Sequence, residues 1–181
     1  MKGIVFTEFM ALTEKLWGIE MVDDIIDAVP LPSEGAYSSV ASYDFQELAD
    51  LLAELSRRVN IPQSELLQIF GEHLAQVFAL KFPEFFASYQ HVFDFLKSVQ
   101  NHIHVEVLKL YPDAELPSFE FEQPDPDLLL LHYESSRPLA DLAVGLIHAS
   151  AKHFQQQVSL ERRHRDSHLS YSETFVVKMG G

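Results

Sequence analysis

The feature that most limits what this chain can fold into is a change of rhythm. As far as Leu110 its apolar residues recur every three or four positions; beyond Pro112 they alternate or run in short blocks. Val5, Phe9, Leu12 and Leu16 mark one helix face with Gly18 as its stop, and a short helix is expected over about 20–28. Pro30, Pro32 and Gly35 then break the chain. Asp44 with Glu47 reads as a capping box, with Phe45, Leu48, Leu51, Leu52 and Leu55 as the stripe behind it. Pro62 suits the first position of the next helix, striped by Leu66, Phe70, Leu74, Val77 and Phe78 and ended by Pro83. One long helix is expected over about 84–110, carrying Phe93, Leu96, Val99, Ile103, Val107 and Leu110, with Pro112 closing it.

Past that point residues 119–121 alternate apolar and charged, and 128–133 form a short block, with a turn at 124–127 between them. Leu139, Leu142, Leu146, Ile147 and Phe154 mark another helix starting at Pro138, and 158–164 and 171–179 read as two more strands joined through Asp166, Ser167 and His168. Helices, two strands, a helix and two strands make an α+β fold with a four-stranded antiparallel sheet. The 181 residues suffice for one domain of ordinary size, and no linker long enough to part independent domains is present.

Charge and cysteine content exclude several kinds of chemistry. Thirteen Lys and Arg against 27 Asp and Glu give a net charge of −14, which disfavours nucleic acid and anionic membranes. The absence of cysteine removes disulfides, iron–sulfur clusters, thiol nucleophiles and thiolate-held zinc. Any metal must be held by carboxylates or by the nine histidines. No wholly apolar run, 128–131 included, exceeds four residues, too short to span a membrane, and the first residues lack a signal peptide's apolar core. A cytoplasmic protein is the simple expectation.

No dinucleotide fingerprint, P-loop, zinc-protease helix or serine-hydrolase elbow occurs. His102 and His104 lie two apart in the expected helix, so their side chains diverge by about 200° and cannot readily share a metal. The most promising cluster is Tyr133, Ser135 and Arg137, which share one face if the strand continues to Pro138. Two hydroxyls and a guanidinium suit carboxylates or phosphates, though the same set equally fits a solvated strand edge.

Taken together, the opening Met1-Lys2-Gly3, His104 seven residues before Tyr111-Pro112, Pro117-Ser118-Phe119, and Tyr133, Ser135 and Arg137 as Y-x-S-x-R are similar to one family. Over nearly its whole length the chain resembles the H-NOX (haem nitric oxide/oxygen binding) family, which includes the haem domain of soluble guanylate cyclase. The resemblance implies a single domain over 1–181, with a helical subdomain at about 1–60 and a helix-plus-sheet subdomain at about 61–181. A b-type haem would lie buried between them. It implies His104 as proximal iron ligand, Tyr133, Ser135 and Arg137 on the haem propionates, and Pro117 pressing on the porphyrin. Val5, Phe9, Leu74, Phe78, Leu142 and Leu146 would line the pocket, although each also fits ordinary core.

In oxygen-binding members a tyrosine lies five residues after the motif arginine; here that position is Leu142, with Leu74 and Phe9 at two further pocket positions. Bound oxygen gains from a polar donor, whereas nitric oxide and carbon monoxide gain much less. The resemblance therefore implies a nitric oxide and carbon monoxide binder that excludes oxygen. Nitric oxide weakens the bond trans to it, so release of His104 would let the haem relax and the helical part shift. The expected role is a bacterial, non-enzymatic sensor acting in trans on a histidine kinase or a cyclic-di-GMP enzyme. The competing readings are a haem enzyme such as a peroxidase, with His73 or His148 as distal acid–base group, a haem-binding redox sensor, and a haem-free relative. The cysteine-rich zinc site of some relatives is missing; His164, Asp166 and His168 are poor substitutes beside Arg162, Arg163 and Arg165.

Overall fold

A computed structural model describes residues 1–165 and 171–180. It separates into two compact units, Met1–Phe70 and Gly71–Gly181. The division falls inside a helix.

The first unit is helical: α1 (Gly3–Trp17), α2 (Ile19–Ala28), α3 (Phe45–Val59) and the start of α4 (Gln63–Lys81). The buried face of α1 is Gly3, Phe6, Phe9, Leu12 and Thr13. It is rotated from the expected stripe, so Val5 is only half-buried and Leu16 is 47% exposed. Gly18 stops α1 with a φ of 88°, as expected. On α3 the four leucines Leu48, Leu51, Leu52 and Leu55 are buried as expected. Asp44 does cap α3, accepting from the Gln46 amide at 2.9 Å. Glu47 does not complete a capping box: its carboxylate is buried and accepts from Ser33 Oγ and, at 3.0 Å, from Tyr37 Oη. Tyr37 in turn stacks on Phe6 at 4.6 Å and meets Tyr43 edge-on at 4.9 Å. Pro62 sits one residue before α4, where its carbonyl accepts the first helical bond from Leu66.

The second unit holds the rest of α4, then α5 (Pro83–Ala87), α6 (Val92–Ser98), a π-helical turn (Val99–Ile103) and α7 (His104–Leu110). The expected long helix over 84–110 is thus interrupted twice. At 88–91 the chain leaves the helix, and α6 restarts with its free amides satisfied from outside. The Val92 N–H donates to Gln156 Oε1 at 2.8 Å, and the Phe93 N–H to His91 Nδ1 at 3.2 Å. The π turn then throws later residues out of phase, leaving Leu110 60% exposed instead of in the core stripe.

Four strands follow in the order β1-β2-β4-β3, all pairs antiparallel: β1 (Ser118–Asp125), β2 (Leu128–Ser135), β3 (Val158–His164) and β4 (Tyr171–Met179). Pro124 lies within β1 rather than in the turn, which shrinks to 126–127; an edge strand with shifted register tolerates a proline. The expected connection through Asp166, Ser167 and His168 lies outside the described residues. Between β2 and β3 runs α8 (Ala140–His153), whose Ala140, Ala143, Val144, Ile147 and Ala151 join Leu129, Leu131, Tyr133, Phe175 and Val177 in one core. Gly71 on α4 meets α8 so closely that an added Cβ would lie 2.2 Å from the Leu142 carbonyl and 3.0 Å from Gly145 Cα.

Candidate functional site

His104 is the first residue of α7, and its backbone N–H donates to the Val99 carbonyl five residues back. That wide bond is the π turn itself, a local distortion often found at functional positions. The turn is tied to the sheet, because Gln100 Oε1 accepts from the Phe119 N–H of β1 at 2.9 Å. The His104 imidazole lies 5.9 Å from the Phe119 ring. Burial alone draws its pKa down to about 4, so at neutral pH it is an uncharged base with a lone pair to give. His102 turns elsewhere, with Nδ1 3.2 Å from Tyr89 Oη and its ring against Phe85, so the two histidines diverge as expected.

The sheet supplies the second half of the site. Burial alternates strictly along β2, placing Leu129, Leu131, Tyr133 and Ser135 on its inner face. Tyr133 is only 1% exposed and lies between the rings of Phe119 and Phe175, each 5.6 Å away. Its hydroxyl is buried and forms no hydrogen bond. Ser135 and the Leu139 amide lie near enough to favour the phenolate slightly, but neither closes a bond, and burial raises the Tyr133 pKa. Such an orphaned donor is costly unless something completes it.

The strand ends at Ser135, so Arg137 does not share its face by simple alternation. A bend places it instead: the Arg137 N–H donates to Ser135 Oγ at 3.1 Å, and the Leu139 N–H donates to the Arg137 carbonyl at 2.9 Å. The guanidinium Nη2 donates to Glu115 Oε2 at 2.5 Å. Glu115 is the residue that sequence reasoning missed; one acidic side chain among 27 carried no signal. Phe119 was visible as a strand residue, but only the register opposite Tyr133 makes it a neighbour of both rings. Pro117 is half-buried immediately before β1.

Of the expected lining residues, Phe9 on α1 and Leu74 on α4 are buried, while Val5, Phe78, Leu142 and Leu146 are half-buried. The contact at Gly71 brings α4, which carries Leu74 and Phe78, onto α8, which carries Leu142 and Leu146. Two hydroxyls near these positions are already spent on backbone: Thr13 Oγ1 donates to the Phe9 carbonyl at 2.9 Å and Ser150 Oγ to the Leu146 carbonyl at 2.7 Å. His148 lines an open cleft with Lys152, Gln155, Gln156 and Gln157. Among the described residues no three His, Asp or Glu side chains converge as a metal site. A single neutral imidazole with a phenol, a hydroxyl and a guanidinium instead suits an iron porphyrin, whose ring brings four nitrogens to the metal and two carboxylates to the donors.

The comparisons with known proteins agree. A model of the haem-NO-binding family matches residues 2–162. The H-NOX protein of K. algicida, solved as Fe(II) unliganded, is 37% identical, with 100% of this chain and 97% of that one covered and a TM-score of 0.93. The H-NOX of Shewanella woodyi, solved bound to IWP-051 in the Fe(II)CO state, is 37% identical over 99% of this chain and 95% of that one, with a TM-score of 0.85. An H-NOX protein of S. oneidensis in the Fe(II)NO state shares the fold, with a TM-score of 0.90 at 23% identity and 100% of both chains covered. This chain belongs to the haem-NO-binding, or H-NOX, family of haem-based gas sensors. No helix among the described residues is long and apolar enough to cross a membrane.

Proposed function

We propose that this chain is a cytoplasmic sensor that holds haem b on His104, takes up nitric oxide and carbon monoxide in the ferrous state, and excludes oxygen. When bound, haem would supply a ferrous iron able to take up a diatomic ligand. The observation that carries the reading is the pairing of a neutral, desolvated His104 with the orphaned Tyr133 hydroxyl. His104 would hold the iron, and Tyr133, Ser135 and Arg137 would hold the propionates. Pro117 would bear on the ring, and Val5, Phe9, Leu74, Phe78, Leu142 and Leu146 would line the pocket.

Oxygen exclusion follows from the same lining. Leu142, Leu74 and Phe9 offer no donor, and the nearby Thr13 and Ser150 hydroxyls donate to their own helices. The Shewanella woodyi relative, solved in its Fe(II)CO state, supports the gas class. Signalling would run in trans, to a histidine kinase or a cyclic-di-GMP enzyme, through α7, whose first residue is His104 and whose preceding turn is bonded to β1.

The test is the absorption spectrum of the purified ferrous protein under nitrogen, air, carbon monoxide and nitric oxide. A haem band that shifts with the last two and not with air is expected; a stable shift in air would sink the oxygen claim. Steady turnover of peroxide would favour an enzyme instead. For signalling, a His104→Gly variant that acts on the partner as the unliganded wild type does would argue against the tether.

A further inference from the structure

Arg137 and Glu115 form an unequal pair. The arginine side chain is 13% exposed and the glutamate side chain 68%. The Arg137 backbone is held by Ser135 and Leu139, and its guanidinium donates to Glu115. Glu115 sits in the irregular segment between α7 and β1 and reaches in from solvent. A guanidinium so nearly desolvated needs a counter-charge at all times. The glutamate can return to water cheaply, because most of it is already there. Its carboxylate is the same functional group as a haem propionate.

We propose that Glu115 is a placeholder: it neutralises Arg137 before haem arrives and is displaced from the guanidinium when a propionate takes its place. The idea rests on the reading of Arg137 as a propionate ligand. Two carboxylates beside one guanidinium repel each other, so the placeholder also opposes retention of haem. Glu115 is thus a positioning residue for Arg137 in the empty protein and a competitor in the loaded one.

The test uses Glu115→Gln, which keeps shape and removes charge, with Arg137→Ala alongside. Ferric haem loss is followed by transfer to an excess of a haem-scavenging apoglobin, and melting is recorded for the haem-free and haem-loaded forms. For Glu115→Gln, haem loss about fivefold slower is expected, the scale of removing one partly screened like charge. Its haem-free form should melt lower, and its loaded form as wild type does. Unchanged or faster haem loss overturns the proposal, as does unchanged melting of the haem-free form. Lower melting in both forms also overturns it, because Glu115 would then be a permanent brace. Arg137→Ala should lose haem at least about tenfold faster. If it does, a failure with Glu115→Gln removes only the placeholder; if it does not, the propionate reading falls and the placeholder with it.

Discussion

Each unit sets a tyrosine beside polar groups, half-buried Tyr37 in the first and buried Tyr133 in the second, and the two clusters are finished differently. In the first, the Tyr37 hydroxyl and Ser33 both donate to the buried Glu47 carboxylate, so donors and acceptor are matched within the chain. In the second, Tyr133 is buried more deeply, yet its hydroxyl has nothing to bond. Both phenols have raised pKa values, Tyr37 to about 12, with burial as the largest cause in each. A phenol whose ionisation burial opposes is structural where the network closes. Where it stays open, as at Tyr133, the proposed reading makes it a binding group.

The largest expected effect that tests this contrast is Glu47→Ala. It strands two donors and removes a buried acceptor, and should cost ~3 kcal/mol in chemical denaturation. Tyr37→Phe should cost about 1.5 kcal/mol, because it removes one charge-assisted bond. Tyr133→Phe should leave the haem-free protein unchanged or stabilise it by up to ~1 kcal/mol, since it deletes an unsatisfied group. The same change should speed haem loss about threefold in the loaded protein. A cost equal to that of Tyr37→Phe in the haem-free form would mean the two clusters are alike and end the contrast.

The smallest effect is a pH dependence. Tyr37 has a folded pKa raised from 10.0 to about 12. Its contribution is therefore complete below pH 10 and is lost as pH climbs through the folded value, because the unfolded phenol gives up its proton first. Alkaline melting curves of wild type and Tyr37→Phe should converge over that window, while phenolate absorbance shows Tyr37 ionising late.

Much of this was legible from local pattern. The change of rhythm gave the element order, and the alternation along β2 put Tyr133 and Ser135 on one inner face. What stayed hidden depends on distant partners. The break before α6 is held open by Gln156, which lies 64 residues away from Val92. Arg137 is placed by a bend rather than a strand, and its partner Glu115 lies 22 residues earlier. The expected capping box failed because Glu47 found better donors in Ser33 and Tyr37. The direction of His104 also escaped a stripe count, since it follows a π turn whose Gln100 is bonded to Phe119 of β1.

That turn makes the site an exercise in counting. Each residue advances a helix by about 100°, so one spare residue before His104 decides which way the imidazole looks. Deleting a single residue from 99–103 would leave nearly all the helix intact and swing the imidazole to another side. Circular dichroism would barely register the change, while the haem band is expected to shift. On the proposed role of His104, a one-residue slip in this short stretch of sequence would cost the iron ligand while leaving the fold in place.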